Sequence, residues 1–199
     1  MKSLSDVSVK EYIEQETMDK WLLERYVVIM DDVWRVDVSS NIEFQKKFKY
    51  FYRIRLADEW CEVYFRLFEE MKKDKLPSFE KIITAMLNRT KGMVISGNLC
   101  KDGRVEASFS SKMLATIRPD KPIWDSHVLK QLSISVPTGS ATSRVQQCIK
   151  IYEQLENEYN RFIKTEKAKN IVHKFDKLQS GYTNISAVKK IDYLVWSLE

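Results

Sequence analysis

Apolar residues recur every three or four positions along most of this chain, which is the spacing that gives an α-helix one buried face. Short polar connections separate these stretches, and many contain glycine, proline or a residue suited to begin a helix. The stretches fall at residues 8–22, 41–56, 58–71, 78–87, 104–117, 125–132, 142–178 and 186–198. The pattern predicts a mainly α fold, a compact globule of about eight helices. We expect one helical domain over 1–199, whose helices can also form two lobes, roughly 1–100 and 101–199.

Capping residues mark where several of these helices should begin. Ser8 and Glu11 fit a capping box, in which each side chain accepts the free backbone N–H of the other residue. The run Ser39-Ser40-Asn41 offers a cap for the next apolar stretch, and Asp58 is a predicted N-cap for the one after it. Residues 26–38 are rich in valine and isoleucine, so periodicity there allows either a helix or a short strand.

Residues 44–56 combine five basic side chains with aromatic rings at Phe44, Phe48, Phe51 and Tyr52. On a helix these four rings share one face, which predicts that they pack in the core and leave the basic side chains in water. The alternative is a nucleic-acid surface on which bases stack against the rings. Core packing is the interpretation that the helical spacing favours.

The composition excludes several classes of site. Three widely spaced cysteines without a CxxC motif, and only two histidines, argue against a disulfide framework and against a zinc or iron–sulfur site. We therefore expect no metal and no cofactor. The chain has no apolar run of about 18 residues, and its N-terminus has no apolar segment of signal-peptide type. These two absences predict a cytoplasmic protein without a membrane span.

Charge is distributed unevenly around the net value of +5. Residues 1–37 carry nine acidic and five basic side chains, whereas residues 38–57 carry one acidic and five basic. Residues 104–150 are also basic, with seven basic and three acidic side chains. This polarity suits a protein that presents one face to a phosphate backbone, although an ordinary charged surface would look the same.

The stretch from Arg104 to Leu132 predicts a helix, a tight turn and a second helix. Pro119 and Pro122 must interrupt the first helix, because proline lacks the backbone N–H and restricts the residue before it. Asp125 then stands at the N-cap position of the second helix. Before this stretch, residues 88–103 are predicted to form a loop with a brief extended piece at 93–95.

The segment Pro122-Ile-Trp-Asp125-Ser-His127-Val resembles part of the helix–hairpin–helix DNA glycosylases, and its oxidised-guanine (8-oxoguanine) branch most of all. In that superfamily a proline-containing turn leads to an aspartate, one residue, often a histidine, and an aliphatic residue that opens a helix. The resemblance implies a mainly helical fold with a basic side that faces DNA. It also implies that the damaged nucleotide is flipped into a pocket.

The resemblance implies particular roles for several residues. Asp125 would be the catalytic carboxylate, which stabilises the positive charge that develops on the sugar as the base leaves. His127 and Ser126, in the first turn of the helix, would contact a DNA phosphate, as would free backbone N–H groups there. Arg104 and Lys101 stand near the position of the family's DNA-binding hairpin, where Asp102-Gly103-Arg104 replaces a glycine-rich turn.

The family's bifunctional members also carry a nucleophilic lysine nearly twenty residues before the aspartate. Counting back from Asp125 leads to Glu106 and Ala107, neither of which can form a Schiff base. Lys112, thirteen residues before Asp125, is the candidate replacement. Without a nucleophilic lysine, Asp125 would still support hydrolysis by water.

Two functions follow from these residues. The first is a DNA-binding protein that cleaves the N-glycosidic bond of a modified base, with Asp125 and Lys112 as catalytic residues. The second is a non-catalytic helical protein that keeps a glycosylase-like fold and binds nucleic acid or a protein. The enzyme requires Asp125 to lie in a concave basic groove near Lys112 and an aromatic pocket. A carboxylate that only caps its own helix on a flat or buried surface would favour the second function.

Overall fold

A computed structural model describes residues 1–7 and 20–196 of the chain. This part of the chain is mainly helical, as the sequence pattern predicts, with nine α-helices and one small antiparallel hairpin. The helices are α1 (Lys20–Asp32), α2 (Ile42–Phe51), α3 (Asp58–Lys73), α4 (Phe79–Thr90), α5 (Ala107–Ile117), α6 (Ser126–Gln131), α7 (Ala141–Phe162), α8 (Glu166–Leu178) and α9 (Ala187–Trp196). The hairpin pairs β1 (Val94–Ile95) with β2 (Asn98–Leu99), and short 3-10 helices lie at Leu4–Asp6 and Ser180–Tyr182. The capping box predicted at residues 8 and 11 lies outside the described residues.

Of the three helix caps predicted within the described residues, those of α2 and α6 are confirmed and that of α3 is not. Asn41 caps α2, and its side-chain oxygen accepts the backbone N–H of Phe44 at 2.8 Å. The prediction that Asp58 caps α3 is wrong. Ala57 is the N-cap there, and Asp58 is the first helical residue, where its charge still favours the positive end of the helix dipole. The segment after residue 26, left open between helix and strand, is helical as far as Asp32.

The aromatic residues of α2 form part of the core. Phe44 and Phe48 are fully buried and Tyr52 is 8% exposed. The Phe48 ring lies 5.4–6.1 Å, between centroids, from three rings of α3, which belong to Tyr64, Phe65 and Phe68. Aromatic pairs at this separation stabilise a core beyond the area that they bury. The core interpretation is therefore confirmed for Phe44 and Phe48, whereas Phe51 is half-buried and lines a cavity together with Tyr52.

The connection between α4 and α5 is a tight β-hairpin, where the sequence predicted a loop with a brief extended piece. The chain leaves the hairpin through Gly103, whose φ is +77°. A Cβ atom at this position would lie 2.2 Å from the backbone oxygen of Leu87 on α4. Glycine is needed there for both reasons. The close approach fixes where α5 begins on the surface of α4.

Helix packing brings distant parts of the chain together around one end of α5. In the described part of the chain α4 packs on α3, α5 and α7, and α9 packs on α6 and α8. Buried apolar residues from all nine helices form a continuous cluster. As a result α9, near the end of the described residues, lies beside the turn that leads into α6. The main cavity opens at this junction.

Candidate functional site

A cavity of about 430 Å³ lies between α1, the end of α2, α5, the turn before α6, and α9. This volume falls within the range of small-molecule sites. Seven aromatic residues line it, and so do four lysine or arginine side chains and two aspartates. The aromatic residues are Tyr26, Phe51, Tyr52, Trp124, Phe175, Tyr193 and Trp196. The cavity can therefore hold a flat ring, and its wall carries an excess of positive charge.

Lys112 and Asp125 face each other on the wall of this cavity. Lys112 projects from α5 and is only 8% exposed, and its Nζ lies 3.9 Å from Oδ2 of Asp125. The ammonium group also lies 5.3 Å from the ring centroid of Phe109 and 5.8 Å from that of Tyr52. The structure thus brings together the two residues that the sequence singled out for chemistry.

The surroundings of Lys112 favour its neutral amine. Burial is the main cause and lowers the pKa of Lys112, because the charged form loses its hydration. Asp125 opposes this effect, the nearby positive charge of Lys189 lowers the pKa further, and Asp192 raises it. A lysine with a lowered pKa keeps more of its amine unprotonated near neutral pH, which is the form that attacks carbon.

Asp125 uses its two carboxylate oxygens differently. Oδ1 accepts the backbone N–H of His127 at 3.0 Å, so Asp125 is the N-cap of α6, as predicted. Oδ2 faces Lys112 across the cavity wall, and 19% of the Asp125 side chain is exposed. The cap fixes the carboxylate in place and leaves one oxygen free to stabilise a positive charge in the cavity.

Side chains of α5 and α7 hold the turn that carries Asp125. The Ser111 hydroxyl donates to the backbone oxygen of Ser108 at 2.8 Å and accepts the backbone N–H of Trp124 at 2.9 Å. The Tyr152 hydroxyl donates to the backbone oxygen of Pro122 at 2.7 Å. These buried bonds place Asp125 above α5. Sequence reasoning gave neither residue this role, because both bonds to the turn depend on how it packs against α5 and α7.

A second lysine–aspartate pair lines the same cavity from α9. Nζ of Lys189 lies 3.2 Å from Oδ2 of Asp192, on the same helix. The Tyr159 hydroxyl of α7 donates to Oδ1 of Asp192 at 3.1 Å. Asp192 is 4% exposed, and burial raises its pKa against the opposing effect of Lys189 and Tyr159. Its place in the cavity was not predicted.

The residues predicted to bind DNA divide into two groups. Ser126 and His127 line the cavity, and the His127 ring lies 5.9 Å from the Trp196 ring. Lys101 and Arg104 lie away from the cavity, near the hairpin. Arg104 Nε is 2.7 Å from the Glu106 carboxylate. The structure therefore brings together four of the six predicted site residues.

Neither a metal site nor a membrane span is found in the described ranges, 1–7 and 20–196. No group of three or more potential metal-ligating side chains occurs there. None of the helices there is both long and apolar enough to cross a membrane. No model of a known protein family matches the chain, and comparisons with curated proteins and with solved structures find no match. Any function must therefore be argued from the chain's own residues.

Proposed function

We propose that this protein is a DNA glycosylase that removes a modified base, with Lys112 as nucleophile and Asp125 as the charge-stabilising carboxylate. One observation carries the proposal. A partly desolvated lysine and a partly open carboxylate face each other, 3.9 Å apart, on the wall of an aromatic cavity of about 430 Å³. Both residue types were predicted from sequence for this chemistry. A desolvated lysine beside a charge partner in a cleft is a candidate for a functional site.

The reaction would proceed by attack of the neutral Lys112 amine on C1′ of the flipped nucleotide. A bond forms between Nζ and C1′, and the N-glycosidic bond breaks as its electron pair leaves with the base. The base takes up one proton from the attacking nitrogen. The bond between C1′ and the ring oxygen then opens, its electron pair and the second proton of the nitrogen go to that oxygen, and a Schiff base forms between Nζ and C1′. Asp125 stabilises the positive charge on the sugar during the first step. Water finally hydrolyses the Schiff base and restores the amine.

The cavity supports this substrate class by its size and its lining. An enzyme that acts on a base must take it out of the duplex and hold it against aromatic or apolar side chains. Tyr52 and Trp124 are buried beside Lys112 and Asp125 respectively, and Trp196 lies across from them on α9. The positively charged wall also suits a nucleotide that arrives with its phosphates.

The test is a screen of duplexes that each carry one modified base, with base release and borohydride trapping as readouts. We expect wild-type protein to release a base and to form a reducible covalent complex. Asp125→Asn should lose most of its base release, and Lys112→Gln should lose the covalent complex. Lys130→Gln is the control, because Lys130 is exposed on α6 and does not line the cavity.

The same screen distinguishes the non-catalytic alternative. If no duplex is processed but binding to DNA remains and weakens with salt, the protein binds nucleic acid without this chemistry. If DNA binding is absent as well, the nucleic-acid function itself is wrong. Base release at the wild-type rate in Asp125→Asn would exclude the carboxylate from the reaction.

A further inference from the structure

The C-terminal end of α2 has an unusual residue in a well-defined motif. The Ile54 N–H donates to the Lys49 oxygen at 2.8 Å, and the Arg53 N–H donates to the Tyr50 oxygen at 3.2 Å. This pair of bonds defines a Schellman motif, whose first residue beyond the cap adopts a left-handed conformation and is usually glycine. Here that residue is Arg53, with φ of +53°.

The end of α6 repeats the motif with another residue. The Ile134 N–H donates to the Leu129 oxygen at 2.8 Å, and the Ser133 N–H donates to the Lys130 oxygen at 3.1 Å. Ser133 also has φ of +53°. Both positions therefore carry the steric strain of a Cβ atom in the left-handed region. Glycine would relieve this strain at either position, so the arginine is not there for the stability of the turn.

The Arg53 side chain lies at the cavity, whereas Ser133 does not. Arg53 is among the residues that line the cavity, and it is exposed. Its guanidinium carbon lies over the Trp196 ring, 5.5 Å from the ring centroid. In the described part of the chain, no carboxylate lies within 4.0 Å of this guanidinium. Its N–H groups remain available to an anion.

We propose that Arg53 binds a backbone phosphate of the nucleotide whose base enters the cavity. A guanidinium presents its N–H groups in one plane, which matches two oxygens of a phosphate. The left-handed backbone of Arg53 fixes the direction of the side chain, and the strain persists at a functional position as it does at other binding sites. This assignment rests on the proposed function, because it takes the ligand to be a nucleotide.

The test compares Arg53→Gly with Ser133→Gly in the full chain. The probe is a fluorescent duplex that carries a tetrahydrofuran abasic-site analogue, and its Kd is measured by anisotropy at several salt concentrations. Arg53→Gly should raise Kd roughly tenfold and lower the slope of log Kd against log salt by about one. It should also raise Tm by about 2–4 °C, because it removes the strain. Ser133→Gly should raise Tm similarly and leave Kd and the slope unchanged.

One further variant and one competition measurement identify the source of the phosphate. Arg53→Lys should keep most of the salt slope but lose part of the affinity, because lysine lacks the planar fork. A deoxynucleoside 5′-monophosphate should compete with the duplex only weakly if the site serves DNA. Strong competition that depends on Arg53 would assign the site to free mononucleotides and overturn the DNA assignment.

The outcomes separate this inference from the proposed function. If wild-type protein binds and processes DNA but Arg53→Gly has the same Kd and slope, the phosphate assignment is wrong and the glycosylase proposal stands. If wild-type protein binds no DNA but binds the mononucleotide through Arg53, the glycosylase proposal fails and the phosphate site stands. If neither the duplex nor the mononucleotide binds, the phosphate assignment and the glycosylase proposal are both wrong.

Discussion

Two lysine–aspartate pairs line the cavity, and they differ in how fully the carboxylate is satisfied. Asp192 is 4% exposed and accepts hydrogen bonds from Lys189 at 3.2 Å and from Tyr159 at 3.1 Å. Asp125 accepts one backbone N–H on Oδ1, and its Oδ2 lies 3.9 Å from Lys112, beyond hydrogen-bond length. The Lys189–Asp192 pair is therefore closed by neighbouring side chains, whereas the Lys112–Asp125 pair is open to the cavity.

The difference separates a structural pair from a reactive pair. A buried ion pair with further hydrogen bonds has little left to offer a ligand, and breaking it leaves an uncompensated charge. A desolvated lysine whose partner lies at a distance keeps its amine free, and its lowered pKa makes that amine nucleophilic. We therefore expect substitutions in the two pairs to affect different properties of the protein.

The largest expected effect is the loss of chemistry on substitution of Lys112. Lys112→Gln should lower the rate of covalent-complex formation on the order of 10³-fold or more, because the nucleophile is absent. Lys189→Gln should retain most of that rate in the fraction of molecules that fold. Single-turnover trapping with borohydride measures both variants. Equal losses in the two variants would remove the distinction between the pairs.

The free energy of unfolding should depend more on Lys189 than on Lys112, which is the opposite of the order expected for the reaction rate. Lys189→Met leaves the Asp192 carboxylate buried without its cation, which should cost about 3–5 kcal/mol of unfolding free energy at pH 7. Lys112→Met should change it by less than about 1 kcal/mol, because the substitution removes a desolvated charge and Asp125 keeps its backbone bond and some exposure. Urea unfolding of both variants provides the measurement. A larger loss of unfolding free energy in Lys112→Met than in Lys189→Met would show that Lys112 is the lysine that stabilises the fold.

A smaller effect on the trapping rate is expected for Ser111, which holds the turn that carries Asp125. Ser111→Ala removes the acceptor of the buried Trp124 N–H, which should cost about 1–3 kcal/mol. It should also lower the trapping rate roughly tenfold, because Asp125 is no longer held at a fixed distance from Lys112. Ser111→Thr is the control, since it keeps the hydroxyl. Full activity in Ser111→Ala would show that this bond does not position the carboxylate.

The finest comparison is the pH dependence of the reaction. The rate should rise with pH until the Lys112 amine is deprotonated, at a pKa below the usual lysine value. Asp125 raises the pKa of Lys112, so Asp125→Asn should shift this rise to lower pH as well as reduce the plateau. Lys189 lowers the pKa of Lys112, so Lys189→Met should shift the rise to higher pH. Single-turnover base release between about pH 5 and 10 would reveal either shift, and unshifted profiles would contradict this assignment of charges.

Local patterns in the sequence were sufficient to predict the helices and the half of the site that contains Lys112 and Asp125. Periodic apolar residues predicted the helical fold, and the proline turn followed by Asp125 predicted the cap that fixes the carboxylate. The pairing of Lys112 with Asp125 was also accessible, because a single turn separates the two helices that carry them. The mainly helical fold is confirmed, whereas the chemistry stays a proposal.

The rest of the site depends on long-range packing. Lys189 and Asp192 reach the cavity because α9 packs against α6, and no local pattern records that contact. Arg53 had only a weak sequence signal, a long side chain where glycine would suit the end of a helix. The Asp58 cap failed because the choice between adjacent residues depends on backbone geometry.

The most direct test of the central claim is to locate the covalent bond. Wild-type protein is incubated with a duplex that carries an abasic site, reduced with borohydride, digested with trypsin, and mapped by mass spectrometry. Our account predicts a sugar adduct on Lys112 and on no other lysine. An adduct on Lys189, or no adduct under conditions in which the duplex is bound, would contradict the assignment of Lys112 as the reacting amine.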